Sequence, residues 1–359
     1  MTKEYRNISK GNAGNFNKHI RDILDPKNTL PFTVSNYFDI MNNIADSNKD
    51  YCVRYVFLVS KAWMHAFCGS RIFGEKKVSK NFSIMYTYDE KKLKSIVKSS
   101  SLVIYRGNYN QWNGLVDNIN CKYIFLPCWS KIRPDNTKFS ILKESTTVLV
   151  DDPAIRSLFL ESGYKSQIFQ KPAMNLFYED SNFCKKDIDI SFICSNTDRK
   201  HKRADLFING MIELDKIVQK KRNICLVGDS SAHNDRIKSI NLSKIKIEQA
   251  YGGKRTSRAN IAKTLDRSKL SICTSDFDAN PRVIVESLAK NIPVLCASDL
   301  AGGKFQINKK TGAFFEPNPK SLAAIAKDCL NNLNKFSPKK HSIKIDDAVN
   351  QILQILNSL

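Results

Sequence analysis

From residue 52 onward the chain alternates between short apolar runs and longer stretches whose apolar residues recur at helical spacing. The runs at 53–59, 82–86, 102–105, 123–126, 146–150 and 166–169 predict a first set of strands, and those at 188–194, 223–227, 245–247, 271–274 and 292–296 a second. The helices between them carry their own punctuation. Asp89 and Asp152 read as N-caps, Pro153 falls in the first turn after Asp152, and Gly163 lies just past that helix's end. Ser257 caps a helix with inward positions Ile261, Leu265 and Ser268. Asn280 reads as the N-cap of the next, with Pro281 at its first position, where a missing N–H costs nothing. Val283, Ile284, Ser287 and Leu288 form one face of that helix, and Asn291 stops it. Amphipathic stretches cover 204–218, 319–333 and 345–356, and residues 32–45 can hold one more helix. Strands alternating with helices predict an α/β fold, a mostly parallel sheet with helices on both faces.

A chain of 359 residues exceeds what one core serves, so two domains are expected. Residues 1–50 are polar, rich in Asn and Lys, and read as a helical preface. Residues 51–172 form the first domain, the irregular Pro-containing 173–186 a linker, 187–335 the second domain and 336–359 a terminal helix. The ten cysteines include no CxxC pair, and Cys194, Cys225, Cys273 and Cys296 each fall inside a strand. Buried free thiols fit a reducing cytoplasm. Scattered histidines suggest no structural metal, and no signal peptide or apolar run of transmembrane length is seen, so the chain is not expected to span a membrane. The formal net charge of +22 changes the picture most. It points to an anionic partner, whether nucleotide, phospholipid surface or nucleic acid, against the plainer reading of solvated lysines.

The chemistry-bearing residues fall where strands end, which in an α/β sheet is the side that faces ligand. Asp278 lies in the loop after the 271–274 strand, and Glu286 stands eight residues later on the following helix. Two carboxylates so separated can serve different parts of one ligand. After the 188–194 strand come Arg199, Lys200, His201, Lys202 and Arg203 in succession, leading into a helix. Five such side chains oppose the positive end of the helix dipole, an arrangement that makes sense if an anion binds between them. Arginine grips two phosphate oxygens through its fork, whereas lysine acts as a point charge. Gly228 follows the 223–227 strand, and Gln249 and Tyr251 follow 245–247. In the first half Ser60, Lys61, Arg106, Cys128, Trp129, Ser130 and Asp151 fall at strand ends. Trp129 and Trp112 can stack on a sugar ring, with simple packing as the alternative.

Asp278, seven residues, Glu286, then a small residue, a turn, Pro293 and Val294 resemble the E-x7-E signature of retaining glycosyltransferases of the GT-B fold, with Asp in the place of the first Glu. The resemblance covers residues 188–330 and extends to the Gly-containing 312–315 strand. It implies two Rossmann-like domains facing a central cleft, with the C-terminal helix crossing back to the first domain. By the same resemblance Arg199 and Lys202, with Lys200 as the alternative match, neutralise a diphosphate. Glu286 would hold ribose hydroxyls and Asp278 sugar hydroxyls. Gly228, Gln249 and Tyr251 would lie about the nucleobase, and Asn280, Pro281 and Arg282 at the helix start would help the phosphate. The implied activity moves sugar from a nucleotide-diphosphate donor to a hydroxyl acceptor, with neither metal nor cofactor beyond the donor. A cell-envelope glycan or lipid-linked sugar is the expected acceptor, with peripheral contact to anionic membrane. A phage-type DNA-modifying glucosyltransferase, a non-catalytic GT-B-like binding protein and a sugar-nucleotide epimerase are the alternatives.

Overall fold

The computed structural model describes residues 35–47, 52–58, 74–77, 79–87, 89–98, 102–107, 122–127, 146–179, 185–254, 256–278 and 280–358. Its first half runs α1 (Ser35–Ser47), β1 (Val53–Leu58), β2 (Gly74–Lys77), β3 (Phe82–Thr87), α2 (Glu90–Lys98), β4 (Leu102–Gly107), β5 (Lys122–Pro127), β6 (Thr146–Val150), α3 (Pro153–Glu161) and β7 (Lys165–Ile168). Among the described residues these strands form two ladders instead of one sheet. The strands β4-β5-β6-β7 are all parallel, while β3 lies between β1, parallel to it, and β2, antiparallel. Strand β2 is absent from the sequence reading because Gly74-Glu75-Lys76-Lys77 carries no apolar pattern; its pairing with β3 alone defines it. The caps follow the reading. Asp89 accepts from the Lys91 and Lys92 amides, Asp152 accepts from Ala154 N at 2.8 Å, and Gly163 adopts φ +82°.

The second half contains β8 (Ile188–Asn196), α4 (Ala204–Ile217), β9 (Arg222–Asp229), α5 (Asn234–Ser239), β10 (Ile245–Gln249), α6 (Arg258–Arg267), β11 (Ser268–Cys273), α7 (Arg282–Ala289), β12 (Val294–Ala297), β13 (Gly312–Phe315), α8 (Pro319–Asn331) and α9 (Ile345–Ser358). Six parallel strands lie in the order β10-β9-β8-β11-β12-β13. Alternate strand residues feed two cores. Ile190, Phe192, Leu226 and Ile272 pack with Phe207, Met211 and Leu214 of α4 and Leu322 and Ala326 of α8, and the Phe192 and Phe207 rings stack 4.3 Å apart. On the other face Ile193, Cys225 and Val227 pack with Ile261 and Leu265 of α6 and Val285 of α7. Helix α9 leaves this half and packs against α1. Its Gln351 amide donates to the Ile168 carbonyl, so the terminal helix crosses back to the first half. No helix among the described residues is long and apolar enough to cross a membrane.

One glycine is required by close approach. A Cβ at Gly312 would lie 1.9 Å from the Val294 carbonyl oxygen, a backbone atom held in the β12–β13 ladder. Gly312→Ala is therefore expected to destabilise by more than the ~1–3 kcal/mol of ordinary overpacking. Urea unfolding checks this, and an unmoved midpoint would contradict the strand's placement.

Candidate active site

The strand order reverses between β8 and β11, which lie side by side while their connections run to opposite sides. Such a switch point opens a crevice at the carboxyl ends of the two strands. The loop that follows each strand is the loop carrying the charged residues singled out above.

After β8, Thr197 anchors the basic turn by donating its amide (2.8 Å) and its hydroxyl (3.1 Å) to the Asp229 carbonyl at the end of β9. Residues Lys200–Lys202 make one 3-10 turn, and Arg203 enters α4 from the left-handed region at φ +46°. The loop after β11 is laced to this turn by backbone. Thr274 Oγ1 donates to the Lys202 carbonyl at 2.5 Å, and Asp276 N donates to the His201 carbonyl at 3.2 Å. Side chains then complete the junction. Lys202 Nζ lies 2.5 Å from Asp278 Oδ2. Arg203 forks onto Asp299, beyond β12, at 3.0 and 2.6 Å, and reaches Asp276 at 3.2 Å. Burial and the Lys202 charge hold the His201 imidazole below its ordinary value, so it is neutral at pH 7 and Arg199, Lys200, Lys202 and Arg203 carry the charge of the turn. Arg199 and Lys200 are exposed and form no ion pair among the described residues.

Helix α7 carries the second carboxylate. It is buried from Ile284 to Ala289, more completely than the one-faced pattern predicts. Glu286 and Arg258, at the start of α6, face each other in this interior at 1% and 3% exposure. Arg258 Nη2 stands 2.6 Å from Glu286 Oε1 and Nη1 donates to Oε2 at 3.2 Å. Burial pushes the Glu286 carboxyl up and the Arg258 guanidinium down. Because a guanidinium keeps its proton in proteins, the carboxylate opposite it is held as the ion. Arg282 and Lys171 add positive charge near Glu286. Lys171 in turn pairs with Asp151 at 3.3 Å, beyond the carboxyl end of β6, which links the first half to this site.

The cap expected at Asn280 is not formed. Pro281 occupies the N-cap position and α7 begins at Arg282 without a side-chain cap. The Asn280 carbonyl oxygen instead accepts from Gln306 Nε2 at 2.8 Å in the interior, and its Nδ2 has no partner among the described residues. At the far end of the rim, Gln249 donates to Ser230 Oγ and Asn234 Oδ1, and Gly228 turns at φ +136°. Tyr251 presents a partly exposed ring, 41% accessible, while its hydroxyl is held by the Asn260 carbonyl at 2.8 Å. Ser60, Lys61, Trp112, Cys128, Trp129 and Ser130 lie outside the described residues, and of Arg106 only the backbone is described.

With the geometry in place, residues 181–343 match the sequence profile of the glycosyl transferases group 1. The second half thus resembles a group 1 glycosyltransferase domain. The fold around it is GT-B, as in solved structures that it resembles. A sucrose-phosphate synthase from Thermosynechococcus elongatus superposes with a TM-score of 0.64 at 14% identity, over 90% of this chain and 92% of that one. Anabaena HepE in complex with UDP-glucose gives 0.62 at 14%, over 90% and 95%. A glycosyltransferase from Rickettsia africae gives 0.61 at 17%, over 77% and 85%. Comparison of the sequence with curated proteins returns no match.

Within the second half, sequence reasoning missed Arg258, Asp276, Asp299 and Gln306, which act through partners far away in sequence. Arg203 was visible as the last residue of the basic turn, but its partners Asp276 and Asp299 were not.

The Arg203 clamp makes a pH prediction. Hydrogen bonding to Arg203 holds the Asp299 carboxyl below its ordinary value. A depressed folded pKa stabilises the fold above the unfolded value of about 3.9, and that contribution is lost as pH falls through the lower, folded value. Asp299→Asn is expected to lower stability at pH 7 and to flatten the stability curve below about pH 4. An acid limb identical to that of the native chain would show that solvent screens the clamp out.

Proposed function

We propose that the chain transfers a sugar from a nucleoside-diphosphate donor to a hydroxyl acceptor with retention of anomeric configuration. The observation that carries this reading is the meeting of Lys202 and Asp278, from the two loops of the switch point, at 2.5 Å. In the reaction the bond from the anomeric carbon to the diphosphate oxygen breaks, with the electron pair leaving on phosphate. The acceptor oxygen takes the carbon, and its proton passes to the departing phosphate oxygen. Lys202 leaves Asp278 for the diphosphate, with Arg199 and Lys200 beside it, and the positive end of α7 adds to the same field. Freed Asp278 accepts from sugar hydroxyls. Glu286 Oε1, in ion-pair contact with Arg258 but without an aligned hydrogen bond, retains acceptor capacity for the ribose hydroxyls. The loops after β9 and β10, with Gly228, Gln249 and Tyr251, hold the base. The basic turn supplies the countercharge, so the scheme needs no metal.

Complexes of HepE with UDP and glucose and of the pneumococcal O-GlcNAc transferase GtfA with UDP and GlcNAc support a nucleotide-sugar donor for this fold. We take the acceptor to be a cell-envelope glycan or lipid-linked sugar and the location to be cytoplasmic, in keeping with the buried free thiols of Cys194, Cys225, Cys273, Cys296 and Cys329. A screen for donor hydrolysis and transfer across uridine, guanosine and adenosine diphosphate sugars tests the proposal. One donor should be consumed by the native chain and spared by Glu286→Gln. No turnover of any donor would leave the non-catalytic reading in its place.

A further inference from the structure

Asp278 lies in a loop that is tied down on both sides of it by a distant part of the chain. The segment that leaves β12, residues 298–311, folds back as a strap over the loop after β11. Ahead of Asp278, Ala301 N donates to the Asp276 carbonyl at 2.8 Å. Beyond it, Gln306 Nε2 donates to Asn280 Oδ1 at 2.8 Å. Between these ties Gly303, at φ +82°, seats the strap so close to Pro281 that a Cβ would come 2.9 Å from the ring Cδ. The strap is itself braced. Lys304 Nζ donates to the Ser298 carbonyl at 2.6 Å, and the Thr311 hydroxyl donates to the Gln306 carbonyl at 2.7 Å. The first tie is backbone on backbone, but the second is made by side chains. Asn280 and Gln306 are both buried, where a hydrogen bond is electrostatically stronger than in water.

We propose that Gln306 is a positioning residue for sugar transfer: through Asn280 it holds the Asp278 carboxylate where the sugar hydroxyls meet it. The inference rests on the reading of the crevice as a nucleotide-sugar site. Asp278 is also held by Lys202, at 2.5 Å, and has no other ion-pair partner among the described residues. In the transfer reaction that ammonium group turns to the diphosphate. The place of the partly exposed carboxylate then depends on the backbone that carries it, and the strap fixes that backbone on either side. The basic turn has anchors of its own, Thr197 on the Asp229 carbonyl and Thr274 on the Lys202 carbonyl. Loss of the Gln306 tie should therefore disturb the sugar and spare the diphosphate. A conservative exchange is available. A carboxylate at position 306 cannot donate, but Asn280 can turn its amide and donate Nδ2, which has no partner among the described residues.

Thermal shifts and steady-state kinetics of the full chain test the proposal. The probes are uridine, guanosine and adenosine diphosphates and their glucose, mannose and N-acetylglucosamine conjugates. Gln306→Met should keep the native shift with the bare diphosphate, show a smaller shift with the conjugate, and lower kcat about ten- to a hundredfold. Gln306→Asn, whose amide falls one methylene short of Asn280, should give the same pattern with a polar side chain retained. Gln306→Glu should restore most of the conjugate shift and of kcat. A Gln306→Met chain that melts lower yet keeps native kcat and native shifts with both ligands would make the residue merely structural and overturn the proposal alone. Equal loss of both shifts would also overturn it, by placing the tie under the whole crevice. No shift with any probe in the native chain would overturn it together with the nucleotide-sugar reading.

Discussion

Lys202→Ala is expected to lower sugar transfer by about two to three orders of magnitude, comparable to removing one preorganised donor at a site of developing charge. Two observations set the size. Lys202 is tied into the site through its carbonyl, which accepts from Thr274, so the backbone that aims its side chain is fixed independently of the ammonium group. Its present partner, Asp278, is partly exposed, at 26% against 17% for Lys202. An ion pair of that kind contributes on the order of 1 kcal/mol at most. A diphosphate presents more charge and more oxygens than one carboxylate, so donor binding wins the competition. Asp278→Asn should accordingly separate the two roles: the donor KM falls because nothing has to be displaced, while kcat falls because the sugar loses an acceptor. Steady-state kinetics on the two variants checks both. A Lys202→Ala enzyme with unchanged kcat/KM would remove the basic turn from the reaction.

The second large effect concerns stability. Arg258→Met should destabilise the second half by about 3–5 kcal/mol, because it strands the Glu286 carboxylate in an interior where both groups are almost inaccessible. Glu286→Gln should cost a similar amount by stranding the guanidinium. The double variant Arg258→Met/Glu286→Gln should recover most of the loss, since removing both charges also removes the desolvation they carry. Urea midpoints of the four proteins form a double-mutant cycle. Additive losses would show that the two side chains do not act as a pair. The double variant also separates folding from chemistry: it should fold as the native chain does and still fail to transfer sugar.

What the sequence made legible was local. Asp89, Asp152 and Ser257 each cap a helix through contacts within three residues, and all three caps are present. Parallel strands stand out because burial on both faces makes them continuous apolar runs. The charged loops could be placed at one rim, because strands that alternate with helices put the loops after them on the side that faces ligand. Long-range partners stayed hidden. Asn280 has the composition of a cap, but Gln306 claims its oxygen from 26 residues away. Glu286 was visible by its spacing from Asp278, yet spacing says nothing of burial, and its partner Arg258 reads locally as an ordinary first-turn residue of α6. Strand β2 exists only through β3.

Thermal melting of the native chain and of Lys202→Ala with uridine, guanosine and adenosine diphosphates tests most directly whether the loops after β8 and β11 form one nucleotide site. At least one diphosphate at a hundredfold its dissociation constant should stabilise the native chain by about 2.7 kcal/mol, and the shift should vanish in the variant. A shift of equal size in both proteins, or none with any diphosphate in the native chain, would contradict the account.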